Sequence, residues 1–277
     1  MNDTSVPTVA AWLRASGLPR VEARLLLQHV CGWSHAQIIA RSEERLPENL
    51  QAALNQAAQR RQNGEPMAYI TGTREFYGRA FKVSPAVLIP RPETEHLLEA
   101  ALAKLPPGGV LWDLGCGSGA IAVSAACERP DAVVWAADIS ADALAVAADN
   151  ARTLGAAVHF GQGGWFAATP RPAIAGVDVL VSNPPYIEAD DVHLSQGDLR
   201  FEPPQALTDF GDGLSALRQL AAGAGDYLRP GGWLLLEHGY NQGAAVRALL
   251  AEYGYAEIET LQDLAGLDRV TLGCKAA

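Results

Sequence analysis

The chain changes its hydrophobic rhythm twice. Between residues 8 and 64 apolar positions recur at helical spacing. Thr8 is placed to cap Val9-Ala-Ala-Trp-Leu13. Leu25, Leu26, His29 and Val30 share a segment that stops at Gly32. Ser34 precedes Ile38 and Ile39, and Leu50, Ala53, Leu54, Ala57 and Ala58 form a stripe closed by Gly64. Helices this short need mutual packing, so a small helical bundle is expected. The stretch Phe76-Tyr-Gly-Arg-Ala-Phe-Lys-Val83 then alternates around a glycine and predicts a β-hairpin. Pro92 suits a first helical position, with Glu93 and Glu95 in the first turn.

From about residue 93 strands and helices alternate. Strands are expected at Val110–Leu114, Ala132–Ala137, Ala156–Phe160, Val177–Val181 and Gly232–Leu236, with a last pair at Ala256–Leu261 and Arg269–Cys274. Helices are expected at Ile121–Cys127, Ala141–Leu154, Leu214–Leu228 and Ala244–Tyr253. Seven strands with five parallel crossovers imply a doubly wound α/β sheet. The final pair is joined too tightly for a helix and should be antiparallel. The organisation read from the pattern is therefore a helical part (1–75), a β-hairpin linker (76–92) and an α/β domain (93–277).

Composition narrows the function. Nearly half of the 277 residues are hydrophobic, enough for a sizeable core, yet no apolar run reaches the ~18 residues of a membrane span. Met1 to Pro7 lacks a basic region followed by an apolar core, so no signal peptide and a cytoplasmic location are expected. Without such a signal the sequon Asn2-Asp3-Thr4 carries no meaning. Cys31, Cys116, Cys127 and Cys274 form no CxxC, and the six histidines form no HExxH, so reduced thiols and no metal site are expected. Charge is uneven, at +1 over residues 1–75 and −11 over 76–277. An acidic larger domain argues against nonspecific nucleic-acid binding and suits a basic partner.

Two motifs carry the chemistry. In Asp113-Leu-Gly-Cys-Gly-Ser-Gly119, Gly115, Gly117 and Gly119 alternate in a strand-to-helix loop, with Cys116 and Ser118 between them. Glycine there permits positive φ and close backbone approach to a ligand, and the following helix offers free N–H groups. Asp138, at the end of the second strand, can accept both hydroxyls of an adenosine ribose, although a helix-capping role competes, with Ser140 as the rival cap. A dinucleotide loop would read G-x-G-x-x-G. Position 120 is Ala, which that pattern tolerates, so the loop alone leaves both ligands open. The second motif is Asn183-Pro-Pro-Tyr186 at the end of the fourth strand. An amide or exocyclic amine nitrogen is a poor nucleophile, because its lone pair is delocalised. Acceptors on its N–H groups orient it and push electron density toward nitrogen. Asn183 can offer its side-chain oxygen and Pro184 its main-chain carbonyl. Pro184 and Pro185 restrict the backbone that holds them, and the Tyr186 ring can pack on a planar group. The pair of motifs resembles S-adenosylmethionine-dependent methyltransferases that modify amide or exocyclic amine nitrogens.

Further stretches sharpen the resemblance. They are Phe76-Tyr-Gly78, Val87-Leu-Ile-Pro-Arg-Pro-Glu-Thr-Glu95, Ser182-Asn-Pro-Pro-Tyr-Ile187, Glu202-Pro203 with Ala206-Leu207, Asp212-Gly213-Leu214, Glu237-His-Gly239 and Asp268-Arg269. These are similar to the bacterial peptide chain release factor N5-glutamine methyltransferases (the PrmC/HemK family), across about residues 65–275. The resemblance implies a seven-stranded Rossmann-like class I methyltransferase domain, preceded by a helical substrate-recognition domain. It implies methyl transfer from S-adenosyl-L-methionine to the glutamine side-chain amide in the Gly-Gly-Gln loop of release factors. Gly115, Cys116, Gly117, Ser118, Gly119, Asp138, Trp165 and Asn183 would contact the methyl donor, and Asn183, Pro184, Pro185 and Tyr186 would hold the glutamine. The Pro90–Glu95 run, with Arg91 and Glu93 in it, would line the donor's methionine end and the substrate channel. The chain departs from the family at Cys116, usually Thr, and at Gly164, often Asp. A monomer that needs neither nucleic acid nor membrane is expected. The neighbouring possibilities are an N6-adenine methyltransferase on nucleic acid, a glutamine methyltransferase on a ribosomal protein, and a noncatalytic cofactor-binding module.

Overall fold

The computed structural model describes residues 6–276, and the Asn2 sequon lies outside them. Backbone contacts divide the chain into two units that meet in sequence at Gly72/Thr73.

Among the described residues the first unit is five helices. Thr8 caps α1 (Val9–Ala15) by accepting the Ala11 N–H at 3.2 Å. Gly32, left-handed at φ 67°, ends α2 (Arg20–Cys31). A capping box of Ser34 and Gln37 starts α3 (His35–Ala40). Then come α4 (Glu48–Gln62) and α5 (Met67–Thr71), the second of which the sequence pattern did not predict. The buried face of α2 is Ala23, Leu26 and Leu27, which gather with Val9, Trp12, Ile38 and Leu54. Leu25 and His29, expected on that face, are exposed, because the 3, 4 spacing from Ala23 selects Leu26 and Leu27 instead.

The second unit opens with a hairpin of β1 (Thr73–Phe76) and β2 (Arg79–Lys82). Its turn residues Tyr77 and Gly78 both have positive φ, at 49° and 69°. The first strand starts three residues ahead of the predicted segment. Helix α6 spans Thr94–Lys104 and so begins after Pro92, not at it. Residues 91–96 form tighter i→i+3 turns, with Thr94, Glu95 and His96 N–H groups bonded to Arg91, Pro92 and Glu93 carbonyls.

The large sheet contains β3 (Val110–Leu114), β4 (Val133–Asp138), β5 (Val158–Gln162), β6 (Val177–Ser182), β7 (Leu228–Glu237), β8 (Tyr255–Gln262) and β9 (Asp268–Lys275), in the order β5-β4-β3-β6-β7-β9-β8. The first five run parallel, and β9 inserts between β7 and β8, antiparallel to both. The helices are α7 (Ala120–Glu128), α8 (Ala141–Leu154), the single turn α9 (Pro204–Leu207), α10 (Ser215–Tyr227) and α11 (Gly243–Glu252). Strand side chains alternate between two cores. Leu111, Val134, Ala136, Val179, Val181 and Leu235 face the core shared with α6, α7 and α8. Trp112, Leu114, Leu180, Leu234 and Leu236 face the one shared with α10 and α11. Burial on both faces explains the near-continuous apolar strands. Among the described residues no helix is long and apolar enough to cross a membrane.

One buried polar side chain ties the hairpin to α8 and to the loop that follows β3. Asn150 on α8 is 1 % exposed. Its Oδ1 accepts the Lys82 N–H at 2.8 Å, and its Nδ2 donates to the carbonyls of Lys82 and Ser118 at 3.0 and 2.9 Å. Asn150→Ala leaves those buried groups without partners and should cost about 2–3 kcal/mol. A shift in the urea midpoint reads this, and a loss under about 0.5 kcal/mol would disprove the clamp.

Candidate active site

The strand order places the site. β3 pairs with β4 on one side and β6 on the other, so the chain leaves their carboxyl ends in opposite directions and opens a crevice there. The β3, β4 and β6 ends carry Asp113, Asp138 and Asn183. A cavity of about 230 Å³ lies along them.

One wall is the glycine loop. Gly115, Gly117 and Gly119 adopt φ of 75°, 53° and 78°. The Gly115 and Cys116 N–H groups bond the Ala137 carbonyl at 2.8 and 3.0 Å, which pins the loop to the end of β4. A Cβ on Gly117 would meet only open space, whereas one on Gly119 would press Ala147 and Val123 at 3.1–3.3 Å. The two glycines therefore serve different ends. Gly117 is needed for its φ, and Gly119 for the packing of α7 on α8. Gly115, Cys116, Gly117 and Ser118 line the cavity and Gly119 does not.

Asp138 Oδ2 accepts the Gly117 N–H and Oδ1 the Ser140 N–H, both at 2.9 Å. The helix cap is Ser140, whose Oγ accepts the Ala143 N–H. Asp138 is thus free of the capping duty and lines the cavity. Trp165 stands opposite at φ 45°, with its indole edge over Gly115. Ile139 also lines this end and is 69 % exposed, a large apolar side chain presented to solvent beside an aromatic ring. That composition accepts a flat apolar face next to a hydroxylated one. The Cys116 thiol is buried and its pKa is pushed up, first by burial and then by Asp113 and Asp138, so it is not a nucleophile.

Asp113 is fully buried beneath the loop. Its Oδ2 accepts the Ala122 N–H at 3.2 Å, and its Oδ1 has no partner. Burial raises its pKa to about 7, against the Ala122 bond and with help from the Asp138 charge.

The facing wall is the Asn-Pro-Pro turn. Ser182 Oγ donates to the Leu114 carbonyl at 2.6 Å and brings the end of β6 beside the glycine loop. Asn183 Nδ2 donates to Thr94 Oγ1 at 3.2 Å. Asn183, Pro184 and Pro185 line the cavity. Tyr186 does not. Its hydroxyl reaches Glu237 Oε1 at 3.5 Å, and burial raises its pKa well above the usual phenol range. Pro90, Arg91 and Thr94 from the Pro90–Glu95 run also line the cavity. Glu93 does not, and Glu95 accepts the Tyr77 N–H at 2.9 Å, a structural bond.

Two residues, Glu202 and Glu237, had no role assigned from the sequence, and Thr94 was covered only by the role given to the whole Pro90–Glu95 run. Thr94 holds the Asn183 amide. Glu202 is buried, accepts the Ile89 N–H at 3.0 Å and pairs with Arg91. Burial raises its pKa, against the Arg91 charge. Glu237 is buried at the end of β7, where the Tyr186 hydroxyl reaches it. The only signal for Glu202 and Glu237 was their place in motifs already noted.

The Asp113 geometry sets a pH dependence. A carboxyl whose folded pKa lies above its unfolded one holds its proton more tightly when folded. Its stabilising contribution is complete below about pH 4 and is lost as pH rises through about 7. Asp113→Asn keeps the oxygen that accepts from Ala122 and removes the titration. From about pH 5 to about pH 8 the unaltered chain should lose on the order of 2 kcal/mol more stability than the variant. Equal losses in urea titrations at the two pH values would refute this.

Comparison with known proteins agrees with the geometry. The family model described as PrmC N-terminal domain matches residues 9–72, and that described as Methyltransferase small domain matches residues 93–212. Among solved structures, a methyltransferase from Pyrococcus furiosus superposes with a TM-score of 0.56 at 17 % identity, over 83 % of this chain and 100 % of that one, which shows the fold. The release factor glutamine methyltransferase of Neisseria gonorrhoeae is 60 % identical over 96 % of this chain and 97 % of its own length. That of Burkholderia pseudomallei is 50 % identical over 99 % of both, and that of Escherichia coli 45 % over 94 % of both. With identity of this order along nearly its whole length, the chain belongs to the release factor glutamine methyltransferase family.

Proposed function

We propose that this chain transfers a methyl group from S-adenosyl-L-methionine to the N5 nitrogen of the glutamine in the Gly-Gly-Gln loop of peptide chain release factors. One observation carries the reading: a single cavity is lined by the glycine loop on one side and by Asn183, Pro184 and Pro185 on the other. The residues fit the donor. Gly117 leaves the space a ligand needs, and the carboxylate of Asp138 and the exposed Ile139 with Trp165 offer a polar and an apolar surface side by side. When bound, S-adenosyl-L-methionine supplies an electrophilic methyl group.

The chain's own residues do the rest. Gly115 to Ser118 and Asp138 hold the donor, with Asp138 on its ribose and Trp165 on its adenine. The glutamine nitrogen carries two N–H donors, so the site must offer acceptors. Asn183 donates through Nδ2 to Thr94, and this turns its Oδ1 toward the cavity. Pro184 supplies a second acceptor through its carbonyl. Held this way, the nitrogen is oriented and its lone pair is made more available. No strong base is needed before attack, because the alkylated nitrogen is acidic and releases its extra proton afterwards. Arg91 and Glu93 belong to the substrate channel in this reading, and Tyr186 backs the glutamine. The helical unit recognises the release factor, and the acidic larger unit suits a basic loop. The enzyme then acts as a cytoplasmic monomer in translation termination, with no nucleic acid required.

Mass spectrometry of an unmodified release factor incubated with enzyme and donor should show one added methylene on the Gly-Gly-Gln glutamine. Label on a ribosomal protein or on nucleic acid instead would discard the substrate. Asn183→Ala should lower kcat at least ~100-fold while donor binding stays measurable. Asp138→Ala should weaken donor affinity by roughly 10- to 100-fold in calorimetry, and an unchanged Kd would remove the ribose assignment.

A further inference from the structure

Pro184 and Pro185 have no N–H to donate, so the Asn-Pro-Pro-Tyr turn depends on bonds at its two ends. The leading end is bonded through Ser182 to Leu114 and through Asn183 to Thr94. At the trailing end the Ile187 N–H donates to the Leu207 carbonyl at 3.0 Å, and the Tyr186 carbonyl is gripped by a side chain. That side chain is Gln242, the N-cap residue of α11, which is 8 % exposed. Its Nε2 donates to the Tyr186 carbonyl at 3.0 Å and to the Gly213 carbonyl at 3.3 Å, and its Oε1 accepts the Gly239 N–H at 2.8 Å.

We infer that Gln242 is a positioning residue for methyl transfer: by holding the Tyr186 carbonyl it fixes the trailing end of the turn whose Asn183 and Pro184 oxygens receive the glutamine N–H groups. The inference rests on the acceptor roles proposed for those two residues. The orientation of the Gln242 amide is set by backbone groups alone. Two carbonyls need a donor and one N–H needs an acceptor, so a flipped amide would set its oxygen against both carbonyls and its NH2 against the Gly239 N–H. The proline rings fix φ at 184 and 185, which leaves ψ as the freedom by which the turn's carbonyls could swing. A bond on the Tyr186 carbonyl removes that freedom at the trailing end. Gln242 does not line the cavity, and it acts through the turn.

Gly213 closes on the same carbonyl. Its φ is 73°, and a Cβ there would lie 2.4 Å from the Tyr186 carbonyl oxygen and 2.9 Å from Gln242 Nε2. A side chain at this position would therefore push the loop and the turn apart. Asp209 holds the loop in place: its Oδ1 accepts the Gly211 and Gly213 N–H groups at 2.9 and 3.0 Å, and its Oδ2 accepts the Ser215 N–H at 2.7 Å. Three segments thus meet on one amide: the turn after β6, the loop before α10 and the turn after β7. None of these bonds involves the glycine loop, so loss of Gln242 should disturb the acceptor wall and spare the donor wall.

The test is steady-state kinetics of the full chain with an unmodified release factor, beside donor binding by calorimetry and the urea midpoint. Gln242→Met keeps the length of the side chain and removes the amide. It should lower kcat about 10- to 100-fold, with KM for the release factor and donor Kd within about threefold of the parent. Gln242→Glu keeps an acceptor for Gly239 and turns an oxygen on the two carbonyls, so its kcat should fall at least as far. Gly213→Ala should also lower kcat, because its methyl group displaces the Tyr186 carbonyl. The Gly213→Ala/Gln242→Met double variant should lose no more than about threefold beyond the worse single variant. Losses that multiply would mean that the two residues act separately, and would overturn the proposal. A Gln242→Met enzyme with a lowered urea midpoint and unchanged kcat would make the contact structural only, and a donor Kd that weakens as far as kcat falls would spread the damage to the donor wall. Either result would also overturn it. Normal turnover by Asn183→Ala removes the acceptor reading and this inference with it, whereas normal turnover by Gln242→Met removes the inference alone.

Discussion

A single short hydrogen bond, from the Ser182 hydroxyl to the Leu114 carbonyl, joins the two halves of the site. It forms where the strand order reverses, where the carboxyl ends of the parallel strands β3 and β6 stand side by side with their connections leaving opposite ways. One residue past each end lies a functional loop: Gly115 follows Leu114, and Asn183 follows Ser182. The bond therefore sets the spacing between the donor wall and the acceptor wall, and the rest of the fold serves to hold β3 and β6 in register. Trp112, opposite Leu180, and Asp113, opposite Val181, carry that register up to the loops. A slip of one residue would turn Asn183 to the other face.

Much of this was legible because strands buried on both faces leave long apolar runs, and glycine marks the turns between them. Four of the five parallel core strands and the antiparallel last pair were foreseen within about two residues, whereas β7 begins four residues ahead of the expected Gly232. The insertion of β9 between β7 and β8 was not, because a period-2 pattern says which residues are buried and nothing about which edge a strand joins. Helix α6 was expected from Pro92 because proline suits a first turn. The structure spends Pro92 and Glu93 on tighter turns that bring Thr94 to the cavity. The glycine loop, Asp138 and Asn183 were legible because backbone conformation and acceptor chemistry restrict residue type. Thr94, Asn150 and Glu237 were not. Each acts by where tertiary packing puts it, and Asn150 meets Lys82 and Ser118 from a helix that reads as an ordinary alanine-rich amphipath.

Three buried carboxyls, of Asp113, Glu202 and Glu237, neighbour elements that line the cavity without lining it themselves, and each is held differently. Glu202 is paired with a cation and with a backbone N–H, so it works as a rigid clamp between the run before α6 and the segment that supplies Pro203, Gln205 and Ala206 to the cavity. Asp113 and Glu237 have no bonded cation, and each keeps one oxygen without a partner. Buried and only half satisfied, such groups cost stability at neutral pH. A fold that carries two of them beside one cavity is spending stability there, and apolar residues of the same size would be the more stable choice. What a carboxylate adds that an apolar group cannot is a fixed direction for neighbouring hydrogen bonds. Here the directions so fixed are those of the Ala122 N–H at the start of α7 and of the Tyr186 hydroxyl at the end of the Asn-Pro-Pro-Tyr turn.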